Sequence, residues 1–407
     1  MDSSIRVTPL KITSQKQAAS LFTAAGVSPQ GTAILSAKSV FYCFQITGIK
    51  SWAANIIKQH LLSLGSDAGV ERSALVRDIQ TQAIVFGSLA QLSRLADKLA
   101  GQPFGLSQVA QDLTAAISGL SRDEYVFGCR DKTLKLGSPA VCGIINVTPD
   151  SFSGDGLMAK MVDGSQQMVD AGLRKAEEMV KAGAKMLDIG AESSRPFSSR
   201  LAAKEEIKRL RPVLAAVRRA FPRIILSVDT YKYETARAAC DSGADVINDI
   251  TAFGDRRMVS LIKRHGLGCV IMHMKGVPAN MQAAPVYADV IAEIYDYLKK
   301  RLRAAKLAGI PASRVMIDPG IGFGKNVRDN FAIIQQLAVF RTLGCPVFLG
   351  VSRKSFIGKI LEVPAGSRLA GSLAAGLAAV VSGAKVLRVH DVKATVQALK
   401  IFGSCNV

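Results

Sequence analysis

The sequence has 407 residues, of which 49% are hydrophobic and 21% are charged. This composition is that of an ordinary globular chain and excludes a collagen-like, low-complexity or disordered polypeptide. Lysine and arginine outnumber aspartate and glutamate by 52 to 32, which gives a net charge of +20. Such an excess attracts anions, whether nucleic acid, membrane headgroups or phosphorylated small molecules. Because no run of five or six like charges occurs, we expect small-molecule substrates and neither a nucleic-acid nor a membrane partner.

The seven cysteines are odd in number and widely scattered, and they form no C-x-x-C pair. Neither a disulfide framework nor a zinc site is indicated. The first residues, MDSSIRVTPLK, contain no apolar signal-peptide segment. The longest uncharged stretch, residues 369–384, is shorter than the roughly 20 apolar residues that span a bilayer. The pattern therefore predicts a cytoplasmic protein.

Residues 1–120 differ in pattern from the rest of the chain and are predicted to form a small α/β domain. Strand-like runs occur at Val40–Ile46 and Gln82–Phe86, and helical patterns at residues 52–64, 90–100 and 107–117. No phosphate-binding loop, metal-ligand cluster or nucleophile motif occurs in this extension, so its role cannot be read from its residues. The second predicted domain, residues 121–407, begins with a hairpin at residues 125–127 and 133–136.

From residue 141 onward, short apolar runs alternate with amphipathic helical segments. This alternation is typical of βαβ units and a parallel sheet in an α/β protein. Eight repeats in about 260 residues favour a closed (β/α)8 TIM barrel over a doubly wound open sheet. The predicted strands are Val141–Asn146, Lys185–Gly190, Ile224–Asp229, Asp245–Asp249, Gly268–His273, Arg314–Asp318, Pro346–Gly350 and Lys385–His390.

Most of these strands end in a polar residue. Because the carboxyl-terminal ends of barrel strands lie on one face, where active sites are built, the polar ends predict a single site. The residues concerned are Asn146, Asp229, Asn248, His273, Asp318 and His390.

The first two loops of the barrel are polar. Residues 146–156 are rich in Pro, Ser and Gly and contain two acids, which suits a loop that closes over a charged substrate. An Asx-type turn explains this loop equally well. The second loop, Glu192–Pro196, offers hydroxyls and Arg195, whose guanidinium can form forked hydrogen bonds to a phosphate or carboxylate. An ordinary surface turn is an equally good interpretation of that segment.

Two carboxylates at strand ends suit recognition of a heterocycle. Asp229 and Asp318 can each accept paired hydrogen bonds from an amino-pyrimidine edge, such as that of a pterin or guanine. Asp229, which precedes Thr230 and a helix, can instead cap that helix. Asp318 begins the segment DPGIGFGK, in which the glycines allow a ligand to approach the main chain and Phe323 supplies a packing wall.

The last two loops carry groups that bind anions. Residues 352–355, Ser-Arg-Lys-Ser, place two cations and two hydroxyls where a strand leads into a helix. Arg388 and His390 are two apart on a strand and therefore share a face, where they can clamp a phosphate or diphosphate. Taken alone, His390 is more typical of a hydrogen-bonded core imidazole.

Eight segments in this order resemble those of the dihydropteroate synthase family. They are INVTPDSFSGDG, ESSRP, SVDT, INDI, MHM, DPGIGFGKN, SRKS and RVHDV, and the resemblance covers residues 124–402. It implies a transferase of folate biosynthesis that joins 4-aminobenzoate to (7,8-dihydropterin-6-yl)methyl diphosphate, with Mg²⁺ as cofactor. The products would be 7,8-dihydropteroate and pyrophosphate, and the enzyme would be a homodimer.

The resemblance also implies where each substrate binds. The pterin pocket would comprise Asp229, Asn248, Met272, Asp318, Gly322 and Lys354. The diphosphate would be bound by Asn146, Arg195, Arg388 and His390, with Mg²⁺ reached through Asn146. The 4-aminobenzoate would lie near Ser194, Pro196, Phe323 and Ser355. The residues expected to act in catalysis are Asp229, Lys354, Arg388 and His390, in a displacement resembling an SN1 reaction.

The sequence departs from the family pattern in three places. The first loop reads SGDG where SDGG is usual, which shifts Asp155 by one residue and leaves its role in doubt. Ser194 stands where Thr is usual, and the N-terminal extension is longer than the barrel requires.

Two other functions share parts of this pattern. A methyltetrahydrofolate-dependent methyltransferase has the same barrel and pterin pocket but expels no diphosphate, so the SRKS and RVH segments favour the synthase. A non-catalytic pterin-binding protein is the second alternative. This alternative would require that the site has lost its catalytic residues. It has not, since the sequence retains Asn146, Asp229, Lys354, Arg388 and His390.

Overall fold

The structure is a computed structural model that describes residues 5–147, 164–192, 201–276, 281 and 285–405. The chain divides into two compact units, Met1–Arg122 and Asp123–Val407. The first unit contains α1 (Gln15–Ala24), α2 (Pro29–Ser39), β1 (Phe41–Lys50), α3 (Ser51–Ser63), β2 (Asp67–Val70), β3 (Gln80–Ser88), α4 (Leu89–Ala100) and α5 (Leu106–Ser121). Its strands form an antiparallel sheet in the order β1-β3-β2.

Helix α4 shows how local sequence builds the core of the first unit. The Ser88 side chain accepts a hydrogen bond from the Gln91 N–H, and the Gln91 side chain accepts one from the Ser88 N–H, so a capping box fixes where the helix begins. Leu92, Leu95 and Leu99 recur at helical spacing and are fully buried. They pack in one cluster with apolar residues of α3.

Three elements of the first unit were not expected from the sequence pattern, namely α1, α2 and the short strand β2. Only Ala18 is buried in α1, and only Thr32 and Ser36 in α2. Neither helix therefore has apolar residues at regular helical spacing, which is the sequence pattern that predicts a helix.

The second unit is a closed barrel of eight parallel strands, which confirms the predicted fold class. The strands are β6 (Ala140–Asn146), β7 (Met186–Gly190), β8 (Ile225–Asp229), β9 (Val246–Asp249), β10 (Gly268–Met272), β11 (Val315–Asp318), β12 (Val347–Leu349) and β13 (Ala384–Val389). Each strand end lies within one residue of the predicted one. The strands are apolar on both faces because one face fills the barrel and the other packs against helices.

The helices of this unit follow the strands in the βα order expected for the fold. They are α6 (Gly164–Lys181), α7 (Ala203–Ala220), α8 (Tyr233–Asp241), α9 (Arg257–His265), α10 (Val290–Leu307), α11 (Val327–Gln335), α12 (Ala338–Arg341), α13 (Ser355–Leu361), α14 (Leu369–Val381) and α15 (Val392–Cys405). None of the helices described is both long and apolar enough to cross a membrane.

A hairpin of β4 (Val126–Cys129) and β5 (Lys132–Lys135) closes the amino-terminal end of the barrel. Phe127 is fully buried among inward-facing residues from the beginnings of the barrel strands. The buried Asp245 carboxylate receives hydrogen bonds from Lys132 Nζ at 2.9 Å and Arg218 Nη2 at 2.5 Å. Because this end is filled, the carboxyl-terminal face remains for the site.

Candidate active site

The polar strand ends meet at the carboxyl-terminal face of the barrel. Asp229 ends β8 and is the ladder partner of Asn248 on β9. Met272 ends β10 and is the partner of Asp318, which ends β11. Partners on neighbouring parallel strands point to the same side of the sheet, so these side chains share the barrel interior.

Arg388 on β13 connects two carboxylates across this interior. Its Nε donates to Asp188 Oδ2 at 2.6 Å, and its Nη2 donates to Asp229 Oδ2 at 2.8 Å. A guanidinium has five N–H donors, so these two bonds leave donors for a further anion. Arg388 is therefore held in place by protein carboxylates while it keeps the capacity to bind a phosphate group.

Asp188 on β7 is a site residue that the sequence analysis missed. It is fully buried, and its Oδ2 also accepts a hydrogen bond from Asn248 Nδ2 at 3.1 Å. Its other carboxylate oxygen has no hydrogen-bond partner among the described residues. The one available signal was an acidic residue inside the otherwise apolar strand Met186–Gly190. A buried charge in such a strand requires a cationic partner, and here that partner is Arg388.

The structure decides between the two interpretations of Asp229. Helix α8 has Lys232 as its N-cap residue and receives no side-chain cap, so Asp229 does not cap it. Instead, Asp229 pairs with Arg388. Burial raises the pKa of Asp229 to about 7, the Arg388 charge opposes this rise, and the Asp188 carboxylate adds to it. Asp229 is therefore a carboxylate whose charge depends on its cationic neighbours.

Asp318, Lys354 and Phe323 form a second group on this face. Lys354 Nζ lies 4.3 Å from the centroid of the Phe323 ring, within cation–π distance. Burial raises the pKa of Asp318 to about 6, while a hydrogen bond from the Gly320 N–H and the Lys354 charge oppose this. Burial and the Arg388 charge lower the pKa of Lys354 to about 8, against the influence of Asp318 and Asp229. The two acids and two cations thus influence one another across one pocket.

His390 is held against the preceding loop. Its ring Nδ1 lies 3.2 Å from Ser352 Oγ, and its backbone N–H donates to the same oxygen. Burial, followed by the charges of Arg388 and Arg353, lowers the pKa of His390 to about 3. At neutral pH the imidazole of the ligand-free protein is uncharged, so it offers a hydrogen bond rather than a positive charge.

The two cations of the SRKS segment have different environments. Lys354 lies by the pocket, whereas Arg353 pairs with Asp391, with Nη2 and Oδ1 2.5 Å apart. Arg353 adopts a left-handed backbone conformation, with φ of 57°. This pair ties the loop after β12 to the end of β13. Of the two cations in this segment, Lys354 is therefore the one that faces the acids of the pocket.

Four other residues expected in the site lie on this part of the fold but outside the network of charged groups. Met272 is buried in a small apolar group with Phe323. Gly322 lies beside the Lys354 side chain. Asn146 ends β6 with a partly exposed side chain, and Ser355 is exposed at the first position of α13.

Four residues discussed in the sequence analysis lie outside the described residues. They are Asp155 in the first loop and Ser194, Arg195 and Pro196 in the second. Their predicted roles stay predictions.

The fit of Mg²⁺ to this face can be judged from the donors present. Among the described residues, no group of three or more His, Cys, Asp or Glu side chains is arranged to hold a metal ion. Mg²⁺ commonly keeps several waters and takes one or two protein oxygens together with substrate phosphates. The amide oxygen of Asn146, at the end of β6, fits such a minimal site.

Comparison with known proteins places the chain in a family. The sequence model of the pterin binding enzymes matches residues 142–390. Dihydropteroate synthase of Escherichia coli strain K12 is 40% identical over 269 residues, which are 66% of this chain and 92% of the relative. The chain belongs to the dihydropteroate synthase family. The resemblance noted in the sequence segments is thereby confirmed.

Solved structures agree with this assignment. Dihydropteroate synthase of Xanthomonas albilineans with 4-aminobenzoic acid is 39% identical, with a TM-score of 0.64, and the match covers 70% of this chain and 99% of that one. A complex of the Xanthomonas enzyme with 7,8-dihydropteroate has a TM-score of 0.60 at 36% identity, covering 69% of this chain and 98% of that one.

One relative also matches the N-terminal extension. A probable bifunctional folylpolyglutamate synthase/dihydropteroate synthase of Halobacterium salinarum is 33% identical over 377 residues, which are 93% of this chain. That span is longer than the barrel unit, so it includes much of residues 1–122. The chain spans 44% of the length of this relative.

Proposed function

We propose that the carboxyl-terminal face of the barrel joins 4-aminobenzoate to (7,8-dihydropterin-6-yl)methyl diphosphate, forming 7,8-dihydropteroate and pyrophosphate. The observation that carries this proposal is the position of Arg388 between Asp188 and Asp229, beside Lys354. A pocket with acids for an amino-pyrimidine and cations for a diphosphate suits this substrate. The names and ligands of the similar proteins support the same reaction.

The pterin is recognised by groups that complement its ring edges. The Asp318 carboxylate accepts hydrogen bonds from the amino-pyrimidine edge, and Asn248 contacts another edge. Lys354 donates to the carbonyl side of the ring. Phe323 and Met272 provide the apolar surface against which a flat heterocycle packs.

Breaking the carbon–oxygen bond sends its electron pair to the diphosphate and leaves a cation on the pterin methylene. Arg388 stabilises the departing anion with its free N–H groups, and His390 supplies a hydrogen bond as a neutral imidazole. Arg195 is proposed to assist from the second loop. The ionised Asp229 carboxylate would stabilise the developing cation on the methylene.

The amine of 4-aminobenzoate then forms the new carbon–nitrogen bond and loses a proton. We place this substrate near Phe323 and Ser355, with Ser194 and Pro196 contributing from the second loop. The displacement needs no nucleophilic side chain, since the amine itself is the nucleophile.

A Mg²⁺ ion fits this proposal as a partner of the diphosphate. Asn146 would hold it through the side-chain amide oxygen, and the ion would supply charge neutralisation of the leaving group. Pyrophosphate release measured with and without added Mg²⁺ tests this role.

The experiment that tests the function is pyrophosphate release by the purified full-length chain from the pterin diphosphate, with and without 4-aminobenzoate. We expect release that depends on 4-aminobenzoate and is accompanied by dihydropteroate. Binding of the pterin diphosphate without turnover would instead identify a non-catalytic pterin-binding protein. Arg388→Met serves as the inactive control, because it removes the guanidinium and keeps much of the side-chain volume.

We also propose that the chain acts as a homodimer, as the family resemblance implies. Light scattering coupled to size-exclusion chromatography would measure the mass in solution. A monomeric mass at assay concentrations would contradict this proposal and leave the proposed reaction unaffected.

A further inference from the structure

Lys325 is a buried lysine that the proposed reaction does not use. It ends the glycine-rich segment after β11, and 2% of its surface is exposed. Its Nζ donates to the carbonyl oxygens of Phe323 at 2.9 Å and His273 at 3.3 Å, and lies 3.0 Å from His273 Nδ1. A lysine ammonium has three N–H donors, and these three acceptors match that number.

The position of Lys325 joins two loops of the barrel face. The His273 N–H donates to the carbonyl oxygen of Asp318 at 2.9 Å, so the two strand ends are already adjacent. A side chain at Gly320 would collide with the His273 carbonyl, and one at Gly324 with the Lys275 carbonyl. The glycine-rich turn therefore lies directly on the backbone that follows β10, and Lys325 fills the point where their carbonyl groups converge.

The turn that Lys325 holds carries groups of the pterin pocket. Asp318 is at its start, and the Gly320 N–H donates to the Asp318 carboxylate at 2.7 Å. Phe323 lies under the Lys354 ammonium. A shift of the turn would therefore move the Asp318 carboxylate together with the Phe323 ring that contacts Lys354.

Burying a lysine without a carboxylate partner costs free energy. In the described part of the chain, the partners of Lys325 are two carbonyl oxygens and an imidazole nitrogen. Burial lowers the pKa of Lys325 to about 7, with Asp318 opposing and Lys354 adding to this effect. Burial and the Lys325 charge lower the pKa of His273 to about 3, which keeps its ring neutral and able to accept a hydrogen bond. A Met of similar length would fill the same space without this desolvation cost.

We propose that Lys325 is a positioning residue for pterin binding. Its ammonium, bonded to His273 and to the Phe323 carbonyl, fixes the glycine-rich turn and so sets the distance between Asp318 and Lys354. This inference rests on the proposed function, since it concerns the same pocket. It assigns Lys325 a role in substrate placement in addition to any role in stability.

The test is Lys325→Met in the full-length chain, with Lys359→Met as the matched control because Lys359 is exposed in the last turn of α13. We expect Lys325→Met to raise KM for the pterin diphosphate about 10- to 100-fold, since small misplacements of binding groups have effects of that size. KM for 4-aminobenzoate should rise as well, because the same turn carries Phe323, which we place beside that substrate. The control should match the wild type.

A purely structural role gives a different result. Lys325→Met would then lower the melting temperature, while the folded fraction kept the wild-type KM for the pterin diphosphate, and that outcome would overturn the proposal. Absence of turnover by the wild type in the same assay would count against the proposed function instead.

A second pair of variants covers the case in which Lys325→Met does not fold. His273→Asn keeps an acceptor near the position of Nδ1, and His273→Leu removes it. The proposal expects the pterin KM of the Asn variant to stay near the wild-type value and that of the Leu variant to rise about 10-fold or more. Equal pterin KM values in the two folded variants would contradict it.

Discussion

The Arg388 guanidinium is anchored by Asp188, a carboxylate 200 residues earlier in the chain, through an Nε–Oδ2 bond of 2.6 Å. The same carboxylate oxygen receives the Asn248 amide. Asp188 therefore links the residue proposed to bind the leaving group with one proposed to bind the pterin.

Asp188→Asn is expected to lower kcat/KM for pyrophosphate release about 10- to 100-fold. Asparagine removes the charge that orients Arg388, and hydrogen bonds to charged groups contribute about 1.5–3 kcal/mol. The matched control is Asp391→Asn, since Asp391 pairs with Arg353 at a more exposed position and should affect kcat/KM by less than about fivefold. Equal losses in the two variants would show that Asp188 has no special role in orienting Arg388.

Asp318→Asn should gain stability relative to the wild type as the pH rises from about 4 to about 7. Burial raises the pKa of Asp318 from 3.8 to about 6, so the folded protein binds a proton that the unfolded chain has lost in this interval. Wild-type stability therefore falls with rising pH, by at most about 3 kcal/mol from this group, and the Asn variant escapes that loss. Urea unfolding at several pH values measures the difference, and pterin binding should be lost.

The opposite sign is expected for Asp391→Asn. The hydrogen bond from Arg353 lowers the pKa of Asp391, so the stabilisation it provides is present near neutral pH and lost as the pH falls through the folded pKa. The variant should therefore be less stable than the wild type at neutral pH, with a difference that shrinks in acid. If the stability difference from the wild type did not change with pH in either variant, the raised pKa of Asp318 and the lowered pKa of Asp391 would both be contradicted.

His390→Asn should leave the shape of the pH profile of kcat/KM unchanged between pH 5 and 8. The pKa of His390 is lowered to about 3, so its imidazole is already neutral over this range in the free enzyme, to which kcat/KM refers. The variant should be slower because the amide replaces the imidazole hydrogen bond. If the wild-type kcat/KM changed with pH near 6.5 and this change were absent in the variant, His390 would be the group that titrates there.

Phe127→Ala should lower the free energy of unfolding by about 3–5 kcal/mol, the usual cost of removing a buried phenylalanine. Phe127 is fully buried where the hairpin closes the amino-terminal end of the barrel. KM values measured well below the melting temperature should stay unchanged, because the site lies at the other end. Val126→Ala, at a residue 57% exposed on the same strand, should alter stability by less than about 1 kcal/mol.

The barrel and the location of its site were readable from local sequence. Strand β8 shows why, because its apolar run predicts a buried strand, and the polar Asp229 at its end predicts a site at the carboxyl-terminal face. Both inferences need only neighbouring residues and the geometry of parallel strands. Helices α1 and α2 were missed because they bury few residues and so lack a periodic apolar stripe.

The residues of the site that sequence reasoning missed are those whose role depends on a distant partner. Asp188 could be noticed as an acid in an apolar strand, but its bond to Arg388 requires the barrel to close. From residue type alone Arg353 and Lys354 are equivalent cations, and only the resemblance to the family favours Lys354. The structure separates them by pairing Arg353 with Asp391.

The sequence by itself thus determined the barrel, its order of elements and the face that carries the chemistry, because periodicity and strand-end residue types are local properties. The tertiary structure decided how the charges are paired. Asp229 could cap a helix or bind a cation, and only closure of the barrel brings Arg388 within 2.8 Å of it. Long-range electrostatics and desolvation depend on that three-dimensional arrangement, which no local pattern encodes.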